Sequence, residues 1–136
     1  MEYKYDTWEV IKLINWGELV KENSRQDAID KGKEILKTLM LSDEEFEFHK
    51  NKIRLYRKSL EEFINGFSLL KFGKSNIFPN NMMKRGVGDD GFWDLCAHII
   101  GLGYKVHESI INDPMLLINY EDEYVENFEY IFINIE

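Results

Sequence analysis

The stretch SDEEFEFHKNKIRLYRKSLEEFINGF, residues 42–67, decides the fold. Its large side chains recur at alternating steps of three and four positions, at Phe46, His49, Ile53, Tyr56, Leu60, Phe63 and Phe67. Because an α-helix turns once every 3.6 residues, this spacing places them on one face over about six turns. Ser42 and Glu45 have the S-x-x-E pattern of a capping box. The stretch therefore predicts a long amphipathic helix at the centre of the molecule, with Ile53 and Leu60 buried.

Two shorter helical patterns precede this stretch. Asp6 or Thr7 is placed to cap a first helix, whose second half is weakened by Asn15 and Gly17. A second helix is expected after Ser24, which resembles the start of a capping box closed by Asp27. The side chains expected in the core are Trp8, Ile11 and Ile14 in the first helix and Ala28, Ile35, Leu36, Leu39 and Met40 in the second.

The second half of the chain combines a loop-forming stretch with three further helical patterns. Residues 71–88 are rich in Gly and Asn and predict a long loop. The expected helices are residues 89–100, capped by Asp89 or Asp90, residues 106–112, stopped before Pro114, and residues 121–132, with Tyr124, Phe128 and Ile131 on one face. A terminal strand at residues 131–135 is an alternative. The prediction is an all-α fold, a single compact domain of five to six helices with a long loop around residues 71–88.

Charge is distributed unevenly along the 136 residues, whose formal net charge is −8. Residues 50–85 hold nine basic and two acidic side chains, whereas residues 86–136 hold one basic and eleven acidic. An acidic protein is a poor partner for nucleic acid or an anionic membrane. The basic segment could still be a nucleic-acid footprint, but we prefer the interpretation that it coats the solvent face of the long helix and pairs with the acidic segments. The expected partner is a basic protein.

The cysteine content and the apolar runs bear on location. Cys96 is the single cysteine, so an internal disulfide is excluded and a cysteine-based zinc site is disfavoured. Its apolar neighbours predict a small core residue. Residues 1–6 are polar and charged, unlike a secretory signal, and no apolar run approaches the ~20 residues needed to cross a bilayer. We expect a cytoplasmic protein, as a monomer or weak dimer.

The candidate chemistry centres on Asp89 and Asp90. Adjacent carboxylates can serve acid–base or metal chemistry, but at a helix start they also cap free amides, which is the interpretation we prefer. His98 and His107 could meet across successive helices beside Glu108, yet zinc needs three or four ligands at recognised spacing. We therefore expect no catalytic residue, metal or cofactor.

A family resemblance is carried by GDDGFWDLCAHIIGLGYKVHESIINDPMLL, residues 88–117. This stretch resembles the core of an uncharacterised bacterial family, catalogued as domain of unknown function 4240. The family pattern is S-D-D-G-F, a helix, a glycine, a second helix, and Asp or Asn before Pro. The matching residues are Asp89, Asp90, Gly91, Phe92, Gly103, Asp113 and Pro114. Gly88 replaces the family serine, and a Gly-, Asn- and Lys-rich stretch replaces the helix that usually precedes it. The resemblance implies a helical fold and no established chemistry.

The acidic, aromatic C-terminal segment suggests a function. Tyr side chains among carboxylates are suited to a protein interface, although they could equally form a solvated helix face. We expect a non-enzymatic protein-binding module, of immunity, antitoxin or anti-defence type, that neutralises a basic bacterial toxin or nuclease. The expected binding residues are Asp89, Asp90, Trp93, Glu121, Glu123, Tyr124, Glu126 and Tyr130. The alternative is a small hydrolase or ligand-sensing domain that uses Asp89, Asp90 and His98 in a cleft.

Overall fold

The computed structural model describes residues 3–73, 89–120 and 127–133, without the side chains of residues 89 and 90. Within these ranges the chain forms six α-helices and two 3₁₀ helices and contains no strand. The α-helices are α1 (Thr7–Ile14), α2 (Trp16–Glu22), α3 (Arg25–Thr38), α4 (Asp43–Phe72), α5 (Asp89–Gly101) and α6 (Tyr104–Asn112). The first 3₁₀ helix is Pro114–Tyr120 and the second is Phe128–Phe132. The predicted all-α fold is confirmed.

The predicted loop around residues 71–88 begins later than expected. Helix α4 continues through Phe72 and ends at Gly73, whose φ of +80° is the left-handed conformation that glycine adopts at helix ends. The Gly73 N–H donates to the Leu69 carbonyl at 2.9 Å. Residues 74–88, which make up the rest of the predicted loop, lie outside the described residues.

The N-terminal helices are set by their caps. The Asp6 carboxylate accepts from the Trp8 N–H at 3.1 Å, and the Glu9 carboxylate accepts from the Asp6 N–H at 3.0 Å, which completes a capping box. Asn15, in the left-handed conformation, ends α1, so the predicted weakening becomes a helix break. Ser24 makes no side-chain capping bond to α3, and Asp27 is one methylene shorter than the Glu that closes such a box. The predicted Ser24–Asp27 capping box is therefore wrong.

Two apolar residues assigned to the core are exposed. Met40 is 85% exposed, because α3 ends at Thr38 and Met40 has a positive φ that turns it off the helix face. Phe63 is 36% exposed, whereas its neighbour Ile64 is fully buried. The predicted pattern leads from Phe46 to Phe63, but five turns of an α-helix lead from Phe46 to Ile64, which therefore takes the buried place predicted for Phe63.

The start of α4 matches the sequence pattern in part. The Ser42 hydroxyl accepts from the Glu45 N–H at 3.1 Å, as the capping box predicts. The second half of the predicted capping box is not formed: the Glu45 carboxylate accepts from the Tyr5 N–H at 3.2 Å instead and connects α4 to the segment before α1. Ile53 and Leu60 are buried as predicted.

Helix α5 is more continuously buried than α4. Its residues 95–100 are buried without interruption, whereas α4 keeps an exposed face that includes Arg54 and Lys58. Cys96 is one of these buried residues, as predicted. At the end of α5, a Cβ on Gly101 would lie 2.7 Å from ring atoms of both Phe128 and Trp16, so only glycine lets these rings approach. Helix α4 packs against α5, and its exposed face is the one expected of an amphipathic helix.

The described part of the C-terminal segment does not form the α-helix that was predicted for residues 121–132. Residues 121–126 lie outside the described residues, and Phe128–Phe132 forms a single short 3₁₀ helix. The Asn127 side-chain oxygen accepts from the Glu129 N–H at 2.8 Å and caps this turn. Phe128 and Ile131 are buried, so the apolar pattern was interpreted correctly and the helix type was not.

Candidate functional site

The eight predicted binding residues fall into three groups. Asp89 and Asp90 occupy the first turn of α5, as predicted, but their side chains lie outside the described residues. Four more, Glu121, Glu123, Tyr124 and Glu126, also lie outside that part of the chain. Trp93 and Tyr130 are described, and they are 36% and 39% exposed.

Trp93 is held by a buried ion pair. Its indole N–H donates to Glu129 Oε2 at 2.9 Å, and the same oxygen accepts from Arg57 Nε at 2.8 Å. The Arg57 guanidinium carbon lies 4.9 Å from the centre of the Trp93 ring, a cation–π distance. Arg57 also donates from Nη1 to Glu61 at 2.9 Å. These four residues join α4, α5 and the second 3₁₀ helix.

The ion pair contradicts the expected placement of two charges. Arg57 was assigned to the solvent face of α4 and Glu129 to an acidic surface, yet only 8% of Arg57 and 9% of Glu129 are exposed. Burial by itself lowers the pKa of Arg57, but the hydrogen bonds and charges of Glu129 and Glu61 outweigh it and leave the pKa raised. Both groups are therefore committed to each other rather than to solvent.

A groove of about 300 Å³ lies beside this cluster. Its lining is predominantly basic: Lys50, Arg54, Arg57, Lys58, Trp93, Glu129 and Ile133. Lys50 lies 4.0 Å from the Glu47 carboxylate. Among the described residues, no carboxylate lies within ion-pairing distance of Arg54 or Lys58, both of which are exposed. The expected pairing of the basic segment with acidic residues thus applies to Arg57 and Lys50 but not to these two.

A second depression of about 250 Å³ adjoins the groove and includes Tyr130. Ile133, which is partly exposed, lines both depressions. The two predicted residues Trp93 and Tyr130 therefore line neighbouring depressions that share Ile133. We call the groove, Ile133 and Tyr130 together the Trp93–Tyr130 surface.

The histidines do not form the site proposed for an enzyme. His98 is fully buried, and its Nδ1 accepts from the Trp16 indole N–H at 3.0 Å. Burial lowers the pKa of His98 to about 4, so the ring is neutral at neutral pH. His98 therefore lies in the core, which corrects its predicted place in a cleft with Asp89 and Asp90. The ring of His107 lies 5.5 Å from the ring of Trp8, whereas His98 is bonded to Trp16, so the two histidines contact different tryptophans.

A second buried polar network was not foreseen from the sequence. Thr7 Oγ1 and His49 Nδ1 form a hydrogen bond of 2.7 Å, and His49 Nε2 lies 3.4 Å from Glu45 Oε2. His49 was expected only as one member of the apolar stripe. The spacing of four residues between Glu45 and His49 could have indicated their contact on one face of α4. The contact with Thr7 on α1 could not have been found in this way, because Thr7 is 42 positions from His49. The network connects α1 to α4, and all three of its residues are buried.

Neither a metal centre nor a membrane span is found in the described part of the chain. No three His, Cys, Asp or Glu side chains converge among residues 3–73, 91–120 and 127–133. None of the described helices is long and apolar enough to cross a membrane.

Comparisons with known proteins give no match to a family model, a curated protein or a solved structure. The resemblance to domain of unknown function 4240 stays a prediction.

Proposed function

We propose that this protein is a non-enzymatic protein-binding module that contacts its partner through the Trp93–Tyr130 surface. The observation that carries the proposal is the state of Trp93, whose ring is fixed by Arg57 and Glu129 while about a third of it faces solvent. An aromatic ring that is already ordered loses little conformational entropy on binding. Trp and Tyr beside Arg are also the side chains that dominate interface energies.

The narrower proposal is that the partner is a basic bacterial toxin or nuclease and that the protein acts as an immunity, antitoxin or anti-defence protein. The eleven acidic side chains of residues 86–136 support it, because a negative segment attracts a cationic protein. Glu121, Glu123 and Glu126 would supply this attraction, with Tyr124 and Tyr130 as anchors. We further propose that the protein is cytoplasmic and is a monomer or weak dimer. We also propose that it belongs to the family that residues 88–117 resemble.

Affinity capture from the native cell with mass spectrometry tests the general proposal. The wild-type chain should retain a partner that Trp93→Ala and Tyr130→Ala lose or release faster, since truncating an anchor acts mainly on dissociation. Tyr104→Ala is the matched control, because Tyr104 is 52% exposed and lies outside this surface. Equal capture by all four proteins would contradict the proposed contact surface.

Association kinetics test the basic partner. Reversing the charges of Glu121, Glu123 and Glu126 should slow association with the captured protein and flatten its salt dependence. The electrostatic screening length falls to about 8 Å at physiological ionic strength, so the effect should be largest in dilute buffer. An association rate indifferent to both salt and charge reversal would remove the toxin or nuclease hypothesis.

A further inference from the structure

We infer that the groove beside Trp93 binds an acidic, extended segment of the partner protein. The inference rests on the proposed function and deepens it, because it assigns the chemistry of the segment that enters the groove. Four of the groove's residues are basic. Its one carboxylate, Glu129, already accepts two hydrogen bonds and is paired with Arg57.

The spacing of the cations specifies the shape of the segment. Lys50, Arg54 and Lys58 follow each other at intervals of four residues on α4, so they form a row with about 6 Å between neighbours. Alternate side chains of an extended strand lie on one side, about 6.6 Å apart. Carboxylates at every second position of an extended peptide therefore match the row of cations.

The remaining lining provides an apolar contact at the side of the row. The Trp93 ring and Ile133 both line the groove and are partly exposed. An aliphatic side chain next to the carboxylates of the partner can pack there. A nucleic-acid strand would also match the cations. The net charge of −8 opposes every anionic occupant, but it opposes a strand with one charge on every nucleotide more than a peptide segment that needs only three carboxylates. A second copy of this acidic chain is repelled for the same reason.

The test uses two fluorescently labelled peptides of equal composition. The spaced peptide is Glu-Ser-Glu-Ser-Glu-Ile, and the contiguous peptide is Glu-Glu-Glu-Ser-Ser-Ile. Their binding is measured by fluorescence anisotropy at protein concentrations up to about 1 mM, the range of weak single-segment recognition. A short single-stranded DNA serves as the nucleic-acid probe, and analytical ultracentrifugation measures self-association.

Two protein variants carry equal changes of charge. Arg54→Glu with Lys58→Glu alters the groove, and both residues are exposed, so the fold should survive. Lys12→Glu with Lys105→Glu reverses two exposed cations outside the groove. The spaced peptide should bind the groove variant about tenfold more weakly than wild type, while the control variant changes affinity less than about twofold. Thermal melts establish that both variants are folded.

Several results would overturn the inference, and four of them concern binding of the probes. These are no binding of the spaced peptide by wild type, equal binding by wild type and the groove variant, equal binding of the contiguous peptide, or tighter binding of the DNA. A wild-type dimer that the groove variant dissolves would also overturn it, because the occupant would then be a second copy. If Trp93→Ala loses the captured partner and the groove variant keeps it, the proposed function stands and this inference fails.

Discussion

The buried pair of Arg57 and Glu129 should cost more stability when one member is removed than when both are. The perturbation is a double-mutant cycle with Arg57→Met, Glu129→Leu and the combined variant. Met and Leu keep much of the side-chain volume and carry no charge. The result bears directly on the site, because the same pair fixes the Trp93 ring.

The magnitudes follow from the partners that each change leaves behind. Arg57→Met leaves the Glu129 carboxylate 9% exposed with only the Trp93 indole as donor, which should destabilise by about 3–5 kcal/mol. Glu129→Leu leaves Arg57 paired with Glu61 alone and should cost about 3 kcal/mol. The double variant leaves no uncompensated ion, since the Glu61 side chain is 21% exposed and can be hydrated. It should cost less than either single change, which requires a coupling energy of at least about 3 kcal/mol.

The assay is urea denaturation followed by far-ultraviolet circular dichroism at two salt concentrations. The matched control is a cycle of Glu18→Leu and Lys21→Met, a surface pair whose side chains are 55% and 72% exposed and 4.0 Å apart. That pair should give a coupling below about 0.5 kcal/mol that falls with added salt, whereas the buried pair should be insensitive to salt. Additive costs for Arg57→Met and Glu129→Leu would refute the buried-pair account.

Three further predictions concern the core. Gly101→Ala should destabilise the fold by about 2–3 kcal/mol, because the added Cβ overlaps the rings of Phe128 and Trp16. Gly66→Ala, where a Cβ would have no atom within 4 Å, should instead stabilise α4 by about 0.5–1 kcal/mol. Equal effects of the two substitutions in urea denaturation would contradict this prediction. Ile53→Ala should cost about 2–5 kcal/mol, and a cost below about 0.5 kcal/mol would show that the predicted stripe is not buried. The pKa of His98 is about 4 in the folded chain and 6.5 in the unfolded chain, so the unfolded chain binds the proton first as the pH is lowered. The free energy of unfolding should therefore decrease by about 2 kcal/mol when the pH is lowered from about 7 to about 5. His98→Gln should remove that part of the slope, and an unchanged slope in denaturation at both pH values would exclude His98 as its source.

The sequence predicted the helices where their signals are local. The cap at Asp6, the cap at Ser42 and the stop before Pro114 each depend on residues within four positions of one another, and each is found. Burial over longer distances was predicted less well. The one-position shift from Phe63 to Ile64 accumulates over five turns from the start of the pattern, and nothing in the local sequence corrects it.

The type of the last helix also lay beyond the local pattern. Phe128 and Ile131 are three positions apart, a spacing that an α-helix and a 3₁₀ helix both place on one face. The choice between them is made by packing, since Ile131 lies against Gly32 of α3 and Phe128 against Gly101 of α5. Those glycines are about 100 and 27 positions away in the chain, so no window of the sequence contains the contact.

The candidate site shows why a sum of charges along the chain misassigns the charge of a surface. Residues 86–136 are strongly acidic, yet two of their carboxylates near Trp93 are turned to internal partners, Glu129 to Arg57 and Asp94 to the side-chain amide of Asn127. A carboxylate paired at 2.8 Å with a guanidinium has little field beyond the pair. The charges that reach solvent there come from α4, on a part of the chain that precedes Trp93 by about 40 positions. The groove is cationic within an acidic protein for this reason, and the side chains that line it bear on the chemistry of the segment that enters the groove rather than on the net charge of the whole partner.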